Sequence, residues 1–529
     1  MTPNLTQYEF AGEKWIGEKA SADFVARFAS APDSYFRKDS FLVRERKLRA
    51  IAVAPVDGQR QAHIKKYKAA GVVPRLRALL KVSQADLELK YLLAAKDAGL
   101  PAPDVIFFGR RGPDAYLATL LIPSAESLME VIRKRPEVLD AALIEALARL
   151  VASAHDAGFL HRDLHLGNIL RGGDGGLYLI DMHRMEVKTA VSDEEAAENL
   201  GLLDFSLSRI TGPENRDALM KAYHEIRRPK MGLEDFRALV SAASRAWGRR
   251  HFRSRTRRCL RDGENFAVEK TGECIVHRKS DWAGDIKALI AAHGGKSATI
   301  LKEGKNTRLT VLPDISGDSK ICVKEYRKGG FGSLLESLAR GSRAKRAWTN
   351  ANGLKIRGLA TPEPLAYART WDAEYFVTRF VANAQPLDSY LHERFENVAD
   401  RPVLRGKWRV MRDIGRWLAR VHKAEVYHKD LKANNVLVAE ENGATRFLLL
   451  DLDRVRFDRP LSQAEIEFNM ACLNAAVPNF ISATDRMRVF KAYTGRDNIS
   501  VSDKDVLRRV RDISIARDHF WHIAQSRLT

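Results

Sequence analysis

Two stretches of this chain carry side chains that could move a phosphoryl group. The first is His161-Arg162-Asp163-Leu164-His165-Leu166-Gly167-Asn168, followed by Leu179-Ile180-Asp181; the second is His428-Lys429-Asp430-Leu431-Lys432-Ala433-Asn434-Asn435, followed by Leu448-Leu449-Leu450-Asp451. In each, an aspartate (Asp163, Asp430) is spaced to accept the proton of an attacking hydroxyl. An asparagine five residues on (Asn168, Asn435) offers a neutral amide oxygen to a divalent ion. A second aspartate at the end of an apolar run (Asp181, Asp451) offers the hard anionic oxygen that holds Mg²⁺ between nucleotide phosphates. Phosphoryl transfer asks the protein for positioning and charge more than for covalent chemistry, so ATP and Mg²⁺ are the cofactors this set implies.

A cation for the phosphates is available upstream of each loop. Lys65 in Ile64-Lys65-Lys66-Tyr67 and Lys324 in Val323-Lys324-Glu325-Tyr326 each sit on an apolar, strand-like run. Glu88, on the helix expected next, is placed to pair with Lys65; the matching position in the second half is Ala347, with Glu325 or Glu336 as conceivable substitutes. Lys432, two residues after Asp430, can neutralise charge on the transferring group, where the first loop has His165. Neither half has a G-x-G-x-x-G loop, a D-F-G triplet or an A-P-E segment, which disfavours a regulated eukaryotic-type protein kinase.

These residues need a sheet to carry the lysine and helices to carry the loop. Phe41-Leu42-Val43, Leu48–Val53, Ala298–Leu301 and Arg308–Leu312 read as strands. Ile144, Leu147, Val151 and Ala154 fall on one helix face running toward the first loop, and Ile414, Leu418 and Val421 do the same toward the second. The halves match position by position. The lysines are 259 residues apart, as are Ser83 and Ser342; the loop aspartates are 267 apart and the closing aspartates 270 apart. An offset that grows slowly along the chain is the mark of one fold duplicated, with small insertions in the second copy. The expected architecture is α+β: two protein-kinase-like bilobal domains in tandem, each with a small β-rich lobe and a larger helical lobe. The boundaries read as 1–258 and 297–529, with 259–296 as a connector.

A chain of 529 residues, 45% hydrophobic and 29% charged, suits two globular domains. Its four cysteines show no metal-ligand spacing, no stretch has the length of a membrane helix, and the N-terminus lacks a signal-peptide layout, so a cytoplasmic location is expected. The net charge of +21 calls for an anionic partner. Basic residues are densest at 245–258 and 340–346.

The segments Val323–Gly330, Ser342-Arg343-Ala344 through Trp348, His428-Lys429-Asp430-Leu431 and Leu450-Asp451-Leu452-Asp453-Arg454 resemble the bacterial lipopolysaccharide core kinases, the Kdo/heptose kinase family within the protein-kinase-like superfamily. The first loop is also similar to that of aminoglycoside phosphotransferases. The resemblance implies ATP- and Mg²⁺-dependent phosphorylation of a sugar hydroxyl on the lipid A–core glycolipid, or on another anionic acceptor. It places the protein at the cytoplasmic face of an anionic inner membrane and disfavours nucleic acid as a partner. A protein or aminoglycoside kinase, or one half acting as a non-catalytic binding module because of Ala347, remains open from the residues alone.

Overall fold

The computed structural model describes residues 5–10, 12–46, 48–69, 83–272, 274–296, 298–314, 319–327, 342–396, 400–441 and 443–517. The chain divides into two compact units, Met1–Gly248 and Arg249–Thr529. Each contains a seven-stranded, wholly antiparallel sheet followed by helices. In the first unit the spatial order is Leu5–Phe10, Glu13–Glu18, Val105–Arg111, Asp114–Leu120, Gln61–Tyr67, Arg49–Pro55, Leu42–Arg46. In the second it is Phe266–Thr271, Cys274–Lys279, Pro364–Arg369, Ala373–Arg379, Lys320–Arg327, Thr307–Pro313, Thr299–Gly304. The two orders are the same, strand for strand.

That correspondence redraws the boundaries read from sequence. Residues 259–296 are not set apart from the second unit. Phe266–Thr271 and Cys274–Lys279 are the outer strands of its sheet, and helix Ile286–Gly294 packs Ile286 and Leu289 with Ile321 and Val323. In the first unit helix Ala22–Ser30 does the same through Phe24, Val25 and Phe28, packed with Ala62, Ile64 and Phe107.

Strand alternation then decides where each lysine goes. On Gln61–Tyr67, Ala62 and Ile64 face the helix Ala22–Ser30 cluster, so Lys65 and Tyr67 face the other side, where helix Gln84–Asp97 packs Ala85 and Leu92. Ser83 starts that helix with a reciprocal capping box to Asp86, satisfying two backbone donors that would otherwise lack partners. In the second unit Ser342 caps helix Arg343–Ile356, whose Ala344, Ala347, Trp348 and Ala351 are buried in one cluster with Tyr326.

The helices that feed the loops are Ala141–Asp156 and Arg401–Lys423. After the first comes Gly158 at φ +82°, where a Cβ would meet the Lys188 carbonyl oxygen at 2.1 Å. The second copy turns at Glu425, also left-handed at φ 56°. Among the described residues no helix is long and apolar enough to cross a membrane.

Candidate functional site

In the first unit the loop is hung from buried histidines. His161 Nδ1 accepts the Asp163 backbone N–H at 3.1 Å, so Nε2 carries the proton and donates to the Ile180 carbonyl at 3.0 Å. One imidazole thereby ties the loop aspartate to the residue preceding Asp181. Asn199 Nδ2 donates to the His161 carbonyl at 2.8 Å, and the Asn199 amide oxygen lies 3.0 Å from His155 Nε2; His155 Nδ1 is 2.6 Å from the Tyr223 hydroxyl. The second unit repeats the tie. Asp430 N–H donates to His428 Nδ1 at 3.1 Å, His428 Nε2 is 2.9 Å from the Leu450 carbonyl, and Asn469 donates to the His428 carbonyl at 2.6 Å.

Burial keeps these imidazoles neutral. It lowers His161 and His428, and it pushes His155 and its counterpart His422, near the end of helix Arg401–Lys423, down to about 4. An unfolded chain takes up these protons near pH 6.5, whereas folded His155 and His422 resist until about pH 4. Stability present at pH 7 is therefore lost as pH falls through this window, at about 2 kcal/mol per such histidine by pH 5. Thermal melting at pH 7 and pH 5 should show the fall, and His155→Asn should show a smaller one; an equal fall in the variant would refute the assignment.

Asp163 has its carboxylate 3.3 Å from Arg184 and 3.9 Å from His165 Nε2. Asn168 Nδ2 donates to the Asp163 carbonyl at 2.9 Å, which orients the amide and leaves its oxygen as an acceptor. Asp181 stands at φ 57°, a left-handed conformation uncommon outside glycine. Its Oδ1 accepts from Lys65 Nζ at 2.8 Å, and Lys65 also donates to Glu88 Oε1 at 2.6 Å. Tyr67 donates its hydroxyl to the other Glu88 oxygen. Burial alone would lower the Lys65 ammonium, but Glu88 and Asp181 overcome it and raise it. Burial likewise raises the Asp181 carboxyl, and Lys65 with Arg49 more than reverses that, holding it well below the usual carboxylate range. Glu88, Asp181 and His183 bring one ligand atom each within 4.8 Å of one another. The sequence-derived set Lys65, Glu88, Asp163, Asn168 and Asp181 thus lies in one unit, joined by direct contacts at Lys65 and through the His161 tie.

The second unit keeps the loop and changes the helix contact. Lys324 pairs with Asp451, which stands at φ 53°, and its ammonium lies 5.3 Å from the centre of the Tyr326 ring. Ala347 is buried. Glu325 does not replace the missing glutamate. As the strand neighbour of Lys324 it faces the opposite side, where it pairs with Arg327 at 3.1 Å and lies 3.5 Å from His293. Glu336 lies outside the described residues. In place of an acid on the helix, Arg343 donates to Asp453 at 2.8 Å and covers the Tyr326 ring at 5.0 Å. Asp453 occupies the position held by His183 in the first unit. The second helix thus reaches its loop through a guanidinium four residues before Ala347, with the cation on the helix and the acid on the loop.

Asp430 is ringed by cations, Lys432 at 3.4 Å, Arg454 at 3.5 Å and Arg517 at 3.4 Å, and Asn435 Nδ2 donates to its carbonyl at 2.8 Å. Sequence reading gave no site role to Arg184, Arg454, Arg343, Asp453 or Arg517. The first two carried a signal, because each stands three residues after its closing aspartate in both copies.

A protein-family model described as the lipopolysaccharide kinase (Kdo/WaaP) family matches residues 33–223 and again 295–493, one stretch in each unit. The chain belongs to the lipopolysaccharide kinase (Kdo/WaaP) family. Two matches for one model establish the duplication in family terms. Among curated relatives, the lipopolysaccharide core heptose(I) kinase WaaP of Pseudomonas aeruginosa is 31% identical over 29% of this chain and 63% of its own length. The 3-deoxy-D-manno-octulosonic acid kinase of Pasteurella multocida is 25% identical over 42% of this chain and 88% of its own. A solved structure of WaaP in complex with acyl carrier protein aligns over 44% of this chain and 91% of its own, with 20% identity and a TM-score of 0.34. The curated relatives are named as kinases, so the family is one of phosphotransferases.

Proposed function

We propose that this chain is an ATP- and Mg²⁺-dependent kinase of a sugar hydroxyl, Kdo or heptose, on the lipopolysaccharide inner core, and that its two units are protein-kinase-like domains with the first carrying most of the turnover. The observation that carries this is Lys65 Nζ held at 2.6 Å from Glu88 and 2.8 Å from Asp181, a cation on a strand fixed by one acid on a helix and one beside the loop. Such a lysine is pre-positioned for nucleotide phosphates. The hard oxygens of Asp181 and Asn168 suit Mg²⁺, which would supply neutralisation of phosphate charge there. Asp163, fixed by His161 and by the Asn168 contact to its carbonyl, accepts the proton of the sugar hydroxyl; Arg184 and His165 steady its carboxylate. In the second unit Lys324, Asp430, Lys432, Asn435 and Asp451 have the parallel roles, with slower turnover because helix Arg343–Ile356 carries no glutamate for Lys324. Substrate sits in an anionic leaflet, so the protein works at the cytoplasmic face of the inner membrane.

The test is incubation of purified full-length protein with labelled ATP, Mg²⁺ and dephosphorylated lipid A–core, alongside an aminoglycoside and a general protein acceptor. Label is expected in the glycolipid. Label only in the aminoglycoside or the protein would overturn the reading.

A further inference from the structure

Helix Arg401–Lys423 has an unusual outer face. Its inner face is pinned to helix Ala483–Thr494: buried Lys407 pairs with Asp485 at 2.8 Å, and a Cβ on Gly415 would meet the Val489 carbonyl oxygen at 2.2 Å. With rotation fixed in this way, Arg401, Arg405, Arg409, Arg412, Arg416, Arg420 and Lys423 are all exposed. They recur every three or four residues, a single stripe roughly 33 Å long at helical rise. Trp408 is exposed on the same face, with Arg488 over its ring at 4.7 Å. The helix carries one acid, Asp413, paired with Arg416 at 3.0 Å. Arg401, Arg405, Arg409 and Arg412 make no ion pair or hydrogen bond among the described residues.

The duplication supplies its own control. Helix Ala141–Asp156 leads into the first loop as Arg401–Lys423 leads into the second. Its exposed positions are Ala141, Ala142, Glu145, Ala146, Arg149, Ser153 and Asp156, with one cation and two acids. The fold therefore does not call for cations on this face. Self-repulsion among closely spaced arginines is a cost that, among the described residues, only the Arg416–Asp413 pair and the Arg420 donation to the Gly358 carbonyl offset, so the stripe answers to something outside the unit.

We propose that the exposed face of helix Arg401–Lys423 docks on an anionic phospholipid leaflet through its arginine stripe, with Trp408 at the headgroup level. A straight row of cations suits a flat anionic surface, and an indole with one apolar and one polar edge suits a lipid–water boundary. The apolar side of the helix stays in the protein core, so attraction is chiefly electrostatic and weakens with salt. The proposal rests on the membrane reading above and assigns the surface responsible for it.

The experiment is co-sedimentation of the full chain with vesicles of phosphatidylethanolamine containing about 30% phosphatidylglycerol, and with phosphatidylcholine vesicles, at about 0.1 M salt. Wild type is expected to bind the anionic vesicles only. The triple substitution Arg405→Gln, Arg409→Gln, Arg412→Gln should lower partitioning by roughly 100-fold, about fivefold per cation. Glu145→Gln on the equivalent helix should leave it unchanged. All three arginines are exposed and unpaired among the described residues, so the variant should keep its melting temperature and its turnover on a delipidated core oligosaccharide. Unchanged vesicle binding by the triple variant overturns the surface assignment and leaves the kinase reading intact. Binding to RNA or an acidic protein but not to anionic vesicles overturns it as well. Loss of turnover on the soluble acceptor by wild type would instead count against the kinase reading.

Discussion

Replacing Asp163 with asparagine is expected to lower the first unit's phosphoryl transfer to the lipid A–core by 10²- to 10⁴-fold, about the contribution of a positioned general base, and to leave the total at the second unit's smaller share. Asparagine keeps the shape and the backbone hydrogen bond to His161 but cannot accept the hydroxyl proton. Asp430→Asn is expected to lower total transfer by no more than about twofold, if the better-equipped first unit dominates turnover. The asymmetry follows from the two lysines. Lys65 is gripped from a helix and from the loop, Lys324 by Asp451 alone among the described residues. Mass spectrometry of core phosphate from cells carrying each substitution gives the readout. A collapse with Asp430→Asn and none with Asp163→Asn would move the active centre to the second unit.

Lys65→Met should have the largest effect on stability. Glu88 is 2% exposed and would lose its ammonium partner, as would Asp181. Breaking a buried pair by removing one member costs about 3–5 kcal/mol, because the remaining charge is left without compensation. In a unit of this size the melting transition should fall by about 10 °C. Adding Glu88→Gln should recover part of the loss, since the amide has no charge to strand. Lys324→Met should cost less, because Asp451 is far more open to solvent than Glu88 and helix Arg343–Ile356 contributes no acid. Equal losses for the two lysine substitutions would show that the Glu88 contact contributes nothing.

The chemistry-bearing residues were legible because they are close in sequence. Asp163 and Asn168, or Asp430 and Asn435, sit within one loop, and their spacing is the geometry. The duplication was legible for the same reason, as slowly growing offsets between short segments. Contacts between distant segments were not. Cys274–Lys279 falls within the stretch read as a connector until it is seen paired with Pro364–Arg369. Arg343 and Asp453 are 110 residues apart, and Arg517 and Asp430 are 87 apart. Glu325 failed as a substitute for a reason that alternation could have supplied, since strand neighbours face opposite sides. The arginine stripe is hidden in the sequence because its members are spaced by helical turns, unlike the contiguous basic runs at 245–258 and 340–346.

The Arg343–Asp453 contact also bears on how two near-copies fold from one chain. Tandem repeats risk pairing a segment of one copy with the complementary surface of the other before either is complete. Helix Gln84–Asp97 offers Gln84 at the register of Arg343, and the first loop offers His183 at the register of Asp453. Setting the first helix on the second loop would leave the buried Asp453 carboxylate without its guanidinium, so the second copy carries a contact that only its own helix completes.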